Sequence, residues 1–340
     1  MTSLTELEVL NTCFLFSYGH PCKYTMLSCQ DNLHAVWVHF HTLSSIVAFI
    51  MYGPTRSTSW CFITVLSQSM SLEDALALVQ DLHPASKAAD VASAAYILGK
   101  KVDDQANKAQ RPLPHSQRDA VVAATNKVTA ALLRPSGLPS SPAPLAMQLG
   151  SKDLSLVSWA VSILVLFDER AMSAEVPQLY SVLAERALQP EVMEASPKEM
   201  YDWAQLLLSI GKVGSRWSEV AEDKRVKKLF GFAIEQRLPF LLMQTSKVCV
   251  AQDISNVALA CVYIKFKGNV APFISSVASS IGREKGERVV DFAPQAWSNL
   301  IYACGKLVDL AGGKVDVLGK DAGVIVGESA AAMRKAASPG

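Results

Sequence analysis

The chain has little net charge and lacks the local signals that identify most enzymes. Its 32 lysines and arginines nearly balance 31 aspartates and glutamates, so the net charge is only +1 and the overall composition does not point to a nucleic acid. No Walker loop, dinucleotide-binding fingerprint, HExxH or GxSxG motif is present. The nearest match to a phosphate loop, Gly312-Gly313-Lys314, is followed by Val315 where a Ser or Thr is required. We therefore expect no catalytic activity, no cofactor and no small-molecule substrate.

Residues 1–61 lack the complete pattern of a metal site, a membrane span or a targeting peptide. His34 and His39 have the spacing of a zinc-ligand pair, but no C-x(2–4)-C pair accompanies them. The apolar run 35–51 covers 17 residues and is interrupted by polar side chains, whereas a bilayer requires about 20 apolar residues. The basic start of a signal peptide and the many arginines of a transit peptide are also missing. We expect an irregular or disordered segment without metal; a membrane tether through 35–51 is an alternative.

The cysteines do not form the framework of a disulfide-rich secreted protein. There are seven of them, an odd number, and they are widely spaced. Cys261 and Cys304 occupy equivalent apolar positions in a repeated pattern, so we expect both to be buried free thiols. This usage favours a reducing compartment.

What the chain does contain is a repeated helical unit, clearest at residues 293–307. Pro294 suits the first turn of a helix, and the apolar residues that follow recur at helical spacing on two faces. A helix that is apolar on two faces is buried between neighbours rather than laid on a single core. Alignment on Asn299 reveals four further copies. The corresponding residues, here called anchor residues, are Ser93, Leu156, Gln205 and Asn256, with intervals of 63, 49, 51 and 43 residues along the chain.

At equivalent positions, the five copies share side-chain size rather than residue identity. The third position after the anchor is bulky and the fourth is mostly small, which allows adjacent helices to interdigitate. The bulky residues are Tyr96, Trp159, Leu208, Leu259 and Tyr302. Three copies also share a Gly-Lys pair, which we expect to end each helix, with Gly in the left-handed conformation and Lys near the negative end of the helix dipole. These pairs are Gly99-Lys100, Gly211-Lys212 and Gly305-Lys306.

The remaining signals predict helices and almost no strands. Ser71 can cap a helix over 72–80, and a long charged helix is expected over 217–237. We predict an all-α fold, an α-solenoid of paired antiparallel helices. The predicted regions are an irregular N-terminal segment (1–61), a first helical repeat region (62–134), a Pro/Ser-rich linker (135–150), a helical-repeat array (151–310) and an Ala/Gly-rich tail (311–340), which could begin a further helix near Gly327.

Two copies carry a resemblance to a known repeat family. They are Pro294-Gln295-x-Trp297-Ser298-Asn299-Leu300-x-Tyr302-Ala303-Cys304 and Gln252-Asp253-Ile254-Ser255-Asn256-x-x-Leu259-Ala260-Cys261. These residues resemble the octotricopeptide repeat of green-algal organelle proteins, which is related to the repeats of FAST-kinase-domain proteins. The resemblance covers about residues 62–308. It implies helix pairs that bind single-stranded RNA in a chloroplast or mitochondrion and control its stability, processing or translation, together with other proteins of a ribonucleoprotein complex.

The C-terminal half carries the residues that an RNA would require. From Gln205 to Lys306 there are 14 basic and 8 acidic residues, a local excess of +6. Cations can bind phosphates, and amides or flat side chains can bind bases. The candidate RNA contacts are Lys212, Lys224, Arg225, Lys227, Lys228, Asn256, Lys265, Lys267, Asn299 and Lys306.

Each candidate also has a structural interpretation. The basic run 224–228 can be a solvated helix face, and Asn256 and Asn299 can join adjacent units by hydrogen bonds. Aromatic side chains more often pack in the core than stack on bases, and we expect this of Trp159, Trp203, Trp297 and Tyr302. The alternative function is a HEAT-like protein scaffold without RNA contact. An RNA binder predicts a basic stripe with Lys265 and Lys306 along the inner surface, whereas a scaffold predicts an apolar groove and scattered charges.

Overall fold

The structure is a computed structural model that describes residues 67–108, 113–136, 143–194, 199–244, 251–283, 293–310 and 315–337. The chain divides into two compact units, Met1–Thr55 and Arg56–Gly340, and every described residue belongs to the second. The irregular segment predicted for 1–61, the His34/His39 pair and the apolar run 35–51 lie outside the described residues.

The described residues form fourteen α-helices and no strand. The helices are α1 (Leu72–Gln80), α2 (Ala88–Lys108), α3 (His115–Leu133), α4 (Ser151–Phe167), α5 (Glu175–Ala187), α6 (Pro190–Met193), α7 (Glu199–Gly214), α8 (Ser218–Ala221), α9 (Lys224–Phe232), α10 (Leu238–Gln244), α11 (Ala251–Tyr263), α12 (Ala271–Arg283), α13 (Pro294–Leu310) and α14 (Val315–Ala337). A π-helical segment, Ala233–Arg237, joins α9 to α10. The predicted all-α class is confirmed.

The helices pack in two layers. The five helices that carry the anchor residues, α2, α4, α7, α11 and α13, form one layer, in which each helix packs against the next; we call it the anchor layer. The second layer, the partner layer, contains α3, α5, the α9–α10 helix, α12 and α14, while α1 packs on α2 and α3. Paired helices run antiparallel: Arg186, near the end of α5, donates to the carbonyl of Leu149, just before α4. This is the packing of an α-solenoid.

Each anchor helix buries apolar side chains against the partner layer. The residues two positions before the anchors are at most 3% exposed: Val91, Leu154, Trp203, Ile254 and Trp297. Trp203 and Trp297 are therefore core residues, as predicted. Five positions after the anchors lie equally buried residues, among them Cys261 and Cys304, which are free thiols as expected. Burial raises the pKa of the Cys304 thiol to about 11, so this thiol is protonated and unreactive at neutral pH.

The prediction that Gly99, Gly211 and Gly305 end their helices is wrong. All three lie inside helices, and two of them form the contact between adjacent repeats. A Cβ added at Gly99 would lie 2.9 Å from the Cα of Ala160, and one added at Gly211 would lie 2.9 Å from the carbonyl oxygen of Ala260. Glycine is required there because the backbones of successive anchor helices approach too closely for any side chain.

Local signals in the sequence predicted some helix ends correctly and others wrongly. Ser71 caps α1 in a reciprocal box with Asp74, as predicted. The first repeat helix, however, continues beyond Gly99 to Lys108, because Val102 is fully buried and extends the apolar face. The helix expected over 217–237 is interrupted: Asp223 accepts hydrogen bonds from the amides of Arg225 and Val226 and starts α9 anew.

Two other regions differ from their sequence-based description. The helix expected near Gly327 begins at Val315 and packs on α12 and α13. In the Pro/Ser-rich segment, residues 137–142 lie outside the described residues, but its two ends are held together. The amide of Ser136 donates to the carbonyl of Ala143, and that of Leu145 donates to the carbonyl of Arg134. Since α2 packs directly on α4, the helices on both sides of this segment belong to one continuous stack.

Candidate nucleic-acid interface

One face of the anchor layer points away from both the partner layer and the neighbouring repeats. Helical geometry places the anchor and the residues four before, three after and seven after it on the same side of each helix. Among the twenty residues of these four positions, only Leu156 and Leu259 are classed as buried, each 8% exposed. We call this surface the outward face. The five residues four positions before the anchors are all exposed: Ala89, Lys152, Tyr201, Gln252 and Gln295.

The C-terminal repeats carry paired amides on the outward face. In α11 the Nε2 of Gln252 donates to the Oδ1 of Asn256 over 3.1 Å, and in α13 the Nε2 of Gln295 donates to the Oδ1 of Asn299 over 2.9 Å. The same bond thus recurs at equivalent positions of consecutive repeats. Both bonds lie within their own helix, so they do not join adjacent repeats. Each pair presents an amide N–H2 and an amide oxygen toward solvent, the groups that bind base edges.

The N-terminal repeats carry aromatic side chains on the same face. The rings of Tyr96 in α2 and Trp159 in α4 have centroids 5.5 Å apart, and both are partly exposed. Tyr201, in the first turn of α7, is 46% exposed. Burial raises the pKa of the Tyr201 phenol, and Tyr96 lies close enough to contribute electrostatically. Three consecutive repeats therefore present neighbouring aromatic groups.

Tyr302 does not occupy the expected core position. It lies at the bulky position of α13 but is 53% exposed. In α2 and α4, Tyr96 and Trp159 pack against each other across the repeat boundary. Among the described residues α13 is the last anchor helix, so nothing covers Tyr302 from the following position.

The ten candidate contacts are divided among three places. Lys212, Asn256, Asn299 and Lys306 lie on the outward face, at the anchor or seven positions after it. Lys265 and Lys267 lie in the loop after α11. The other four, Lys224, Arg225, Lys227 and Lys228, lie in the first turns of α9, in the partner layer. Lys212, Lys306, Lys265 and Lys267 lie toward the edge where the anchor helices end, whereas Asn256 and Asn299 lie in the first half of their helices. The α9 group belongs to the other layer.

Two of the four basic residues of α9 are engaged in ion pairs. Arg225 joins α9 to α5: its Nε lies 3.1 Å from Glu185, and its guanidinium also donates to the Ser181 hydroxyl over 3.0 Å. Lys227 pairs with Glu222, whose pKa it lowers. Lys224 and Lys228 are exposed and have no ion-pair partner within the described part of the chain. Part of this run therefore stabilises the contact between α9 and α5.

Lys265, at the end of α11, adopts the left-handed conformation that is most common for glycine. Its φ is 52°, and it is the one non-glycine residue with positive φ among those described. The amide of Phe266 donates to the carbonyl of Cys261 and the amide of Lys265 to that of Val262, the two bonds of a Schellman motif. This backbone directs the chain after α11 back toward the partner layer.

A column of aspartates, three positions before the anchors, was missed by the sequence reasoning. Its members are Asp90, Asp153, Asp202 and Asp253. They lie in the first turns of their helices, where a carboxylate is stabilised by the helix dipole. Asp202 accepts a hydrogen bond from the hydroxyl of Ser155 in the preceding repeat over 3.0 Å. The residue equivalent to Ser155 in the next interface is Ala204. No side-chain donor among the described residues reaches Asp253, and burial, with a smaller effect of Asp202, raises its pKa to about 6.

The sequence also contained the signal for Gln252, Gln295 and Tyr201, which were not among the candidates. Extending the repeat alignment four residues before the anchor would have placed them in one column. Helical spacing then puts that column on the same face as Asn256 and Asn299.

Two negative observations concern the described residues alone. None of their helices has the length and hydrophobicity needed to cross a bilayer. They also contain no group of three or more His, Cys, Asp or Glu side chains arranged to hold a metal ion.

Comparison with known proteins identified no relative. No protein-family model matches the chain, and no curated protein or solved structure matches it either.

Proposed function

We propose that this protein binds single-stranded RNA through the outward face of the anchor layer. It is a non-catalytic helical-repeat protein that acts on the stability, processing or translation of RNA in a chloroplast or mitochondrion, alone or with other proteins of a ribonucleoprotein complex. The observation that carries the proposal is the recurrence of the Gln–Asn pair in α11 and α13. Pairs of amides that solvent can reach, repeated at the spacing of packed helices, suit a ligand that is itself a polymer of flat polar groups.

The charges near these amides fit the same ligand. Lys212 and Lys306 lie two helical turns beyond the anchors of their repeats, and Lys265 and Lys267 follow the end of α11. A phosphate backbone that runs along this edge would place bases over the amides. We include Lys224 and Lys228 as further phosphate contacts of a longer RNA, since both are exposed. The organelle and the processing step rest on the family resemblance alone.

An RNA-binding measurement with a salt series tests the proposal. We expect the purified chain to bind a labelled single-stranded RNA saturably, with an affinity that falls between about 50 mM and about 200 mM salt. Lys212→Gln and Lys306→Gln should each reduce the salt slope by roughly one phosphate contact. The double variant Asn256→Ala/Asn299→Ala should lose about tenfold in affinity, whereas the control Gln236→Ala, an exposed amide of the π-helical segment, should bind as wild type. Absence of saturable binding at low salt contradicts the proposal.

A protein scaffold is the second candidate, and one observation favours it. The residues of each anchor helix that face the following repeat are closely covered in α2, α4 and α7. In α13 the equivalent residues, Ser298, Ile301 and Gly305, are partly or fully exposed. A helix of another protein could extend the stack there. If Ile301→Asp abolished association with a protein partner while RNA binding was absent from wild type, the scaffold would replace the RNA binder.

A further inference from the structure

The N-terminal part of the outward face differs in chemistry from the amide-bearing part. Two of its three anchors, Ser93 and Leu156, cannot present an amide to a base, and the third, Gln205, has no asparagine or glutamine four positions before it. At the bulky position, α2 and α4 carry Tyr96 and Trp159, whereas α7 and α11 carry leucines. Leucine packs at this position without difficulty, so filling the outward face does not by itself require aromatic rings.

Two of the three aromatic groups of this part are in contact with each other, and the third lies near enough to interact electrostatically with one of them. Tyr96 and Trp159 contact each other across the boundary between two repeats, at 5.5 Å between ring centroids and 46° between ring planes. Tyr201 belongs to the next repeat and is 46% exposed. Tyr96 and Trp159 are both partly exposed, and an aromatic ring that solvent can reach can stack on an unstacked base.

The charges around this surface complement a phosphate backbone. Lys152 lies on the outward face at the start of α4, and Lys100 and Lys212 lie on it two turns beyond the anchors of α2 and α7. Lys100 is held by Asp104 at 2.8 Å, whereas Lys212 has no ion-pair partner among the residues described. Cations thus flank the aromatic groups at both ends of their helices.

We propose that Tyr96, Trp159 and Tyr201 form a stacking platform, which holds unstacked bases of the single-stranded RNA without preference for base identity. The platform rests on the proposed function, and it gives the outward face two parts with different roles. Stacking uses the π-face that every base has, so it tolerates any sequence. Amides bind base edges, which differ between bases, so we assign discrimination to the Gln–Asn pairs of α11 and α13.

Leucine substitutions test the platform, because leucine already occupies the bulky position in α7 and α11. We expect Trp159→Leu/Tyr201→Leu to weaken binding of oligo(U), oligo(A) and oligo(C) by similar factors, on the order of tenfold for each ring. The salt slope should stay that of wild type, since phosphate contacts are unchanged. The matched control is Phe240→Leu, which removes an aromatic ring with the same 46% exposure from α10, in the partner layer; it should bind as wild type. Melting temperatures verify that each variant is folded.

Tryptophan fluorescence supplies an independent readout. Of the four described tryptophans, Trp203 and Trp297 are each 1% exposed, whereas Trp159 and Trp217 are partly exposed, and of these two Trp159 lies on the outward face. RNA should quench part of the emission of wild type, and this quenching should disappear in Trp159→Leu. If the double variant keeps the affinity of wild type, or loses affinity for one homopolymer only, the platform is contradicted although the protein still binds RNA. If wild type binds no RNA, the proposed function and the platform both fail.

Discussion

Two pentapeptides at opposite ends of the anchor layer share their tyrosine, glycine and lysine but have different surroundings. Tyr96-Ile-Leu-Gly-Lys100 lies in α2, and Tyr302-Ala-Cys-Gly-Lys306 lies in α13. In α2 the tyrosine packs on Trp159 and the glycine contacts the backbone of the next repeat. In α13 the tyrosine is 53% exposed, and a Cβ added to Gly305 would meet no atom of the described residues within 4 Å. The role of each residue therefore depends on whether another repeat follows.

The largest expected difference between the two ends concerns the glycines. Gly99→Ala should lower the free energy of unfolding by about 2 kcal/mol, because its Cβ would lie 2.9 Å from the Cα of Ala160 and backbone atoms must move. Gly305→Ala should instead stabilise the protein by about 1 kcal/mol, since alanine favours the helix and meets nothing. Urea unfolding followed by circular dichroism measures both. Equal effects at the two positions would show that the stack does not determine the role of the glycine.

A smaller difference separates two interfaces inside the stack. Asp202 receives a hydrogen bond from Ser155, whereas the equivalent residue in the repeat before Asp253 is Ala204, and the pKa of Asp253 is raised from 3.8 to about 6. The folded state therefore binds the proton more tightly than the unfolded state, and this aspartate lowers stability as the pH rises from about 4 to 6. Asp253→Asn should remove this loss and raise stability at pH 7 by on the order of 2 kcal/mol.

Unfolding midpoints at pH 4 and pH 7 measure this effect, with the gain expected at pH 7 alone. Ala204→Ser serves as the matched variant, since it supplies the hydroxyl that the preceding interface has. It should lower the pKa of Asp253 and recover part of the stability. If the difference in stability between Asp253→Asn and wild type were the same at pH 4 and pH 7, the raised pKa of Asp253 would be contradicted.

The smallest difference concerns the two lysines. Lys100 contacts Asp104 at 2.8 Å one turn later in a partly buried pair, whereas Lys306 and Asp309 are 3.7 Å apart and more exposed. Asp104→Asn should cost about 0.5 kcal/mol at low salt, and Asp309→Asn should have no measurable effect, because exposed pairs contribute little. The unfolding midpoint at low and at high salt gives the comparison. A larger loss of stability for Asp309→Asn than for Asp104→Asn would contradict this prediction.

Local and periodic signals in the sequence were sufficient for the helices and their repetition. Apolar residues at helical spacing gave the five anchor helices, and Ser71 gave the start of α1, because the physics of both signals lies within a few residues. The candidate interface was predicted in part. Asn256, Asn299, Lys212 and Lys306 do lie on one face, since repeat alignment and helical geometry together fix the side of a helix on which a residue lies.

Packing between repeats could not be read from the same signals. Glycine favours a helix end and also permits close backbone contact, and only the position of Ala160 selects the second role for Gly99. The basic run of α9 is equally ambiguous, because the sequence does not show that Glu185 of α5 lies beside Arg225. In each case the deciding atom belongs to a residue at least forty positions away.

The sequence alone determined an all-helical chain with a repeated unit, since hydrophobic periodicity and capping act over short distances. The tertiary structure decided which glycines are contacts, which tyrosine is exposed, which aspartate lacks a donor and which side of each helix forms the outward face. These outcomes depend on the helices that pack before and after a given repeat, and that order of neighbours exists only in the folded stack.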